Sequence, residues 1–77
     1  MWTRLDRVKR GQVIRKVRDE AKRQGKAFQQ IELSRHTGII VGSVRSTISR
    51  SSGEVAEGTA HAFWDQFVGE LGKGWWR

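Results

Sequence analysis

Cysteine, proline and tyrosine are all absent from the 77 residues, and methionine occurs once. Without cysteine there is neither a disulfide framework nor a thiolate metal site to supplement the core. A chain of this length holds one compact domain, residues 1–77, with a modest core, so packing or a partner must supply the stability. No Pro-rich or Ser-rich spacer marks a second unit. Long apolar runs are missing too: Gly38-Ile39-Ile40-Val41-Gly42 is far shorter than the ~20 residues of a membrane helix. The first residues, Met1-Trp2-Thr3-Arg4-Leu5-Asp6, are basic but lack the apolar segment and small-residue cleavage site of a signal peptide. The expectation is a cytoplasmic protein with no membrane partner.

Acidic residues are scarce where basic ones are dense. Residues 1–50 carry 13 Lys or Arg against 4 Asp or Glu, a net of +9, whereas residues 51–77 carry 2 against 4, a net of −2. The positive field belongs to the first two thirds of the chain. Such a field attracts polyanions by counterion release and steers them in, without setting a sequence preference. Nucleic acid is the expected partner, RNA ahead of DNA. A merely solvated basic surface is the plainer alternative.

The pattern from Thr3 to Gln24 is helical, with Thr3 at the N-cap position and Asp6 in the first turn. Val13 or Ile14, Val17 and Ala21 form a narrow apolar stripe, while Arg15, Lys16, Arg18, Lys22 and Arg23 cover the other faces. Gly11 is a point of division, residues 1–10 being an N-terminal extension of the helix, and Gly25 is a natural stop. After Gly25 the period becomes two. Strands are predicted near 27–34, 36–42 and 44–49, with Gly38 and Gly42-Ser43 as bulge or turn positions and Val44, Ser46 and Ile48 facing inward. Ser51-Ser52-Gly53 closes the run with turn chemistry.

Ala60, Phe63, Trp64, Phe67, Val68 and Leu71 then predict one core-facing helix, opened by Thr59 or by Glu57 with Gly58 and closed by Gly72. Residues 72–77 form a Trp-rich tail, in which Trp75 and Trp76 either fold back onto the core or stand exposed as a contact surface. The order helix, strand, strand, strand, helix implies an α+β fold: a three-stranded antiparallel sheet with two helices on one face and the other face free.

His36 is the one strand-region side chain of a type that exchanges protons near neutrality, and it stands among Ser34, Arg35 and Thr37. On the free face it could take the proton of an RNA 2′-hydroxyl or protonate a departing oxygen, with Arg35, Arg45 or Arg50 stabilising charge on the phosphate. A surface histidine bonded to a neighbouring carbonyl is the competing reading. His61 lies one position off the apolar stripe and is expected in solvent. Glu54, Glu57, Asp65 and Glu70 fall at scattered phases, typical of a solvated face rather than a metal site or an acid/base pair. No phosphate-cradling glycine loop occurs. Neither metal nor cofactor is expected.

The segment from Arg15 to Leu71 resembles the HicA-type toxins of toxin-antitoxin pairs, small mRNA interferases with a fold like that of double-stranded-RNA-binding domains. Gly25 ends the first helix as in that family, and Ser34-Arg35-His36 resembles its Ser-x-x-His or Gly-Ser-His signature. Ile48-Ser49-Arg50-Ser51 stands where the family reads apolar, Pro, Arg, His, and Gly58-Thr59 reproduces the Gly-Thr pair that opens its last helix. The resemblance implies an α-β-β-β-α order, His36 as the catalytic histidine and an antitoxin as partner. The chain departs from the pattern at Ser49 and Ser51, which replace the Pro and His, and in lacking a glycine two residues before His36. RNA binding survives these losses more easily than cleavage does.

Two functions follow as expectations, a metal-independent endoribonuclease using His36 or a non-catalytic nucleic-acid-binding domain. In either, Arg15, Arg18, Lys22, Ser34, Arg35, Arg45 and Arg50 grip RNA, and the protein is a monomer or homodimer. A third reading is an interaction module that binds an acidic host protein through the basic face and Trp75-Trp76.

Overall fold

The computed structural model of the chain describes residues 7–50 and 53–77. Its elements are β1 (Arg7–Lys9), α1 (Arg10–Arg23), β2 (Phe28–Glu32), β3 (His36–Val41), β4 (Val44–Ser49), β5 (Glu54–Ala56), α2 (Glu57–Asp65) and α3 (Val68–Leu71). Strands β2, β3 and β4 form an antiparallel sheet in sequence order, and β1 pairs with β5 in a separate antiparallel ribbon. The mixed α+β class and the three-stranded antiparallel sheet are as the sequence implies. The ribbon is not: Val8 stands opposite Val55 in a strand, where a helical extension was expected, and α1 begins only at Arg10. The expected N-cap at Thr3 and the Ser51-Ser52 turn lie outside the described residues.

The α1 stripe is Val13, Ile14, Val17 and Ala21, all buried, as the spacing predicts. Gly11 does not divide the helix but sits in its first turn. With no side-chain cap at Lys9, the turn is anchored from outside by the Arg10 amide donating to the Gly53 carbonyl at 2.9 Å, next to the ribbon. At the other end the chain turns on Gly25 at φ 73°, with Lys26 N–H bonded to the Ala21 carbonyl at 2.8 Å.

Alternation along β3 buries Thr37, Ile39 and Val41, and register adds Phe28, Gln30 and Glu32 from β2 and Val44, Ser46 and Ile48 from β4 to the same face. The helices pack there, since Ile39, Val41 and Ile48 share one core with the α1 stripe, with Ala60, Phe63 and Trp64 of α2, and with Phe67 and Leu71. The hairpin between β3 and β4 has a two-residue turn with Gly42 at φ 58°, a conformation that favours glycine. The α3 carboxylate of Glu70 docks on this turn, accepting from the Ser43 amide at 3.2 Å and its hydroxyl at 2.9 Å. Those bonds, with Lys26 3.6 Å away, hold the Glu70 carboxyl below its ordinary range.

The predicted last helix is broken. Gln66 N–H bonds to the Phe63 carbonyl at 3.1 Å and Phe67 N–H to the Trp64 carbonyl at 3.0 Å, three residues back rather than four. This tighter turn keeps Phe67 and Leu71 in the core but rotates Val68 outward, to 37% exposure. The tail folds back: Trp75 Nε1 donates to the Trp64 carbonyl at 3.0 Å and Trp76 Nε1 to Asp65 Oδ1 at 2.9 Å. The break makes adjacent apolar residues unequal. Phe67→Ala is expected to cost about 3–5 kcal/mol in urea unfolding, and Val68→Ala less than about 1 kcal/mol.

Candidate nucleic-acid interface

Because Thr37 points into the core, His36 before it points to the free face of the sheet, at the start of β3. Its cross-strand partner is Ser49, the last residue of β4. The β2–β3 connection brings Ser34 and Arg35 to the same corner. Ser34, Arg35, His36, Ser49 and Arg50 line an open cleft of about 430 Å³. An imidazole, two hydroxyls and two guanidinium groups therefore share one opening, a set suited to holding a phosphodiester and moving one proton.

Behind the cleft a polar network ties its walls together. The buried Thr37 hydroxyl donates to Glu32 Oε1 at 2.8 Å and accepts from the Arg10 guanidinium. Arg10 Nε also donates to the Ser49 carbonyl at 2.9 Å, so the first residue of α1 clamps the end of β4. Gln30 Nε2 donates to Glu32 Oε2 at 2.7 Å, and Arg50 Nε lies 3.5 Å from Oε1. Arg50 additionally donates to the Leu33 carbonyl at 2.5 Å, and its amide bonds to the Arg35 carbonyl at 3.0 Å. The guanidinium of Arg50 is thus held by the β2 end, whereas the Arg35 side chain has no ion pair among the described residues.

The remaining candidates do not join this cleft. Arg45 is on the free face opposite Ile40, four residues along β4 from Ser49 and so about 13 Å away. Arg15 and Arg18 line a separate groove of about 180 Å³ with Arg10, Gly11, Ile14 and Gln30, and Lys22 lies further along the same helix. Ser49, Arg10, Glu32 and Thr37 were not anticipated. Ser49 was within reach, because a two-residue turn at 42–43 sets His36 opposite it; the role of Arg10 depends on tertiary packing and has no local signal.

His61 is not free in solvent as expected. Its ring stacks on Trp76 with centroids 4.5 Å apart, and Nε2 lies 3.9 Å from a Glu57 oxygen. Among the described residues no three His, Asp or Glu side chains converge as metal ligands would, and no helix is long and apolar enough to cross a membrane.

Hydrogen bonds from Gln30 and Thr37, with the nearby cations Arg50 and Arg10, lower the Glu32 carboxyl below the ordinary value of 4.5. A carboxyl depressed by folding contributes stability that is complete above about pH 4.5 and is lost as pH falls through the lowered value. Glu32→Gln is therefore expected to shrink the loss of melting temperature between pH 6 and pH 3, which thermal unfolding across that range will measure. No family model, no curated protein and no solved structure matches the chain.

Proposed function

We propose that this protein binds RNA and cleaves it at the His36 cleft, as a relative of the HicA-type mRNA interferases with a core of the double-stranded-RNA-binding type. The observation that carries the reading is the juxtaposition of an exposed imidazole with Arg35, Arg50, Ser34 and Ser49 at the open end of the sheet. RNA carries its own nucleophile. His36 takes the proton from a 2′-hydroxyl, whose oxygen forms a bond to the adjacent phosphorus as the bond to the 5′-oxygen breaks. The departing oxygen takes up a proton from solvent, His36 later returns its own proton to solvent, and a 2′,3′-cyclic phosphate remains. Arg35 faces the phosphate and offsets the charge that develops on its oxygens. An antitoxin that covers the cleft is the partner such an activity requires in the cell.

A specific observation favours a second reading, that of a binding domain without cleavage. Arg50 is engaged by Leu33 and Glu32, which leaves Arg35 as the uncommitted cation beside His36. Ser49 and Ser51, where the resembled motif has Pro and His, point the same way. The reading as a protein-docking module through the tail is disfavoured, because Trp75 and Trp76 are half-buried against the core.

His36→Ala and wild type, both shown folded by circular dichroism, are to be compared on a labelled RNA in EDTA. Loss of cleavage by about 100-fold or more in the variant, with RNA affinity retained, is expected for a single acid/base group. Equal binding and no cleavage by either protein would establish the second reading. Arg35→Ala is expected to lower cleavage while leaving the melting temperature within about 1 °C, since its side chain has no partner among the described residues to lose.

A further inference from the structure

The cations of α1 divide into two sets by what they touch. Arg10 is bonded to Ser49 and Thr37, Lys16 lies over the Trp64 ring at 5.5 Å, and Arg23 pairs with Glu20. These three serve the fold. Arg15 and Lys22 have no ion pair or side-chain hydrogen bond among the described residues, and Arg18 has only its exposed neighbour Asp19 at 3.3 Å. The uncommitted set falls at i, i+3 and i+7, one stripe of the helix.

That stripe continues to Gly11, four residues before Arg15. Gly11 lies in the first turn at the head of the groove formed with Arg10, Ile14, Arg15, Arg18 and Gln30, and a Cβ there would meet no atom within 4 Å. No packing demand or positive φ calls for glycine at this position. The groove is open at this position, at the helix N-terminus, where backbone dipoles add to the attraction for anions.

The groove and the His36 cleft lie on opposite sides of the sheet. Gln30 points to the helix-packed face and His36 to the free one, with Glu32 between them near the β2 end. Two residues of strand, about 7 Å, separate Glu32 from Gln30, and the stripe from Gly11 to Lys22 runs about 16 Å. The two segments together span about 23 Å before the crossing between the faces is added, so the track takes several flanking nucleotides.

From this placement we infer that RNA is held on two surfaces, with the reacting phosphate in the His36 cleft and the flanking strand led around the β2 end onto the Gly11-Arg15-Arg18-Lys22 stripe. The inference rests on the RNA reading above. It adds a phosphate-binding track that reads backbone rather than bases, so the length of RNA flanking the cleft governs affinity.

The test measures binding of a labelled 20-nucleotide RNA by fluorescence anisotropy at several salt concentrations. The proteins compared, each first shown folded by circular dichroism, are wild type, Arg15→Ala/Arg18→Ala/Lys22→Ala, and a charge-matched control, Lys16→Ala/Arg23→Ala/Lys73→Ala. The stripe variant is expected to reduce the slope of log K against log salt by about 2, at ~0.7 per phosphate contact on single strands, while the control keeps most of the wild-type slope. Gly11→Glu supplies a second readout. An acid in the first turn in place of glycine is expected to maintain or raise the melting temperature while it weakens RNA binding, opposite effects that a structural role would not produce. A wild-type slope in the stripe variant, or an equal loss in the control, would overturn the two-surface inference and leave the RNA reading standing. Failure of wild type to bind the RNA would overturn both.

Discussion

Trp64 is the joint on which the small core closes. Its indole N–H crosses from α2 to the Val13 carbonyl of α1 at 3.1 Å, and its own carbonyl receives the Trp75 indole at 3.0 Å. Lys16 lies over one side of the ring, and Trp76 and His61 approach it with centroids 5.6 Å and 5.7 Å away. One side chain thus binds the first helix, the second helix and the tail together. In a chain without disulfides this matters, because aromatic area buried by a few residues replaces the cross-links that small domains often need. The tail enlarges the core instead of offering an exposed aromatic pair to a partner.

Most of the polar groups that fix the strand ends lie on the face opposite the cleft, and Arg50 serves both. The helix-packed face of the sheet ends in a polar seam, Gln30, Glu32, Thr37 and Arg10, that fixes the strand ends from behind. The free face carries His36 and Ser49 on those same strand ends. A rigid seam beneath an open cleft lets backbone register set which way the exposed side chains face. It also explains the division of labour among the arginines: Arg10 and Arg50 are spent on carbonyls and Glu32, whereas Arg35 faces outward.

Much of this was legible in the sequence where the period was long enough to read. Four apolar positions over α1 gave the helix its buried face, and alternation through β3 and β4 put His36 outside and Val44, Ser46 and Ile48 inside. Three-residue strands such as β1 and β5 carry too little pattern to be recognised. Their pairing is decided by tertiary contact, which is why Val8 read as helical. The break before Val68 was hidden because a turn tightened to three residues still returns Phe67 and Leu71 to the core. Within the site, the basic residues were visible as a composition, but their separation into a cleft and a helix groove was not. That depends on which face of β2 meets α1. The anchoring bonds of Arg10 span 27 and 39 residues and leave no trace in local spacing.

The turn at Gly42 sets the register on which the orientation of His36, at the far end of the hairpin, depends. A Cβ at this position would come within 2.5 Å of the Glu70 carboxylate, and the backbone there is already in the left-handed region. The space above the glycine is filled by the end of a flexible acid side chain from α3, and the left-handed backbone is what favours glycine here. A slip of one position would expel Gly42 from the turn, drive a side chain into Glu70 and exchange the two faces of the strand, burying His36 and exposing Thr37. Proofreading of the register therefore sits at the opposite end of the sheet from the group whose orientation it protects.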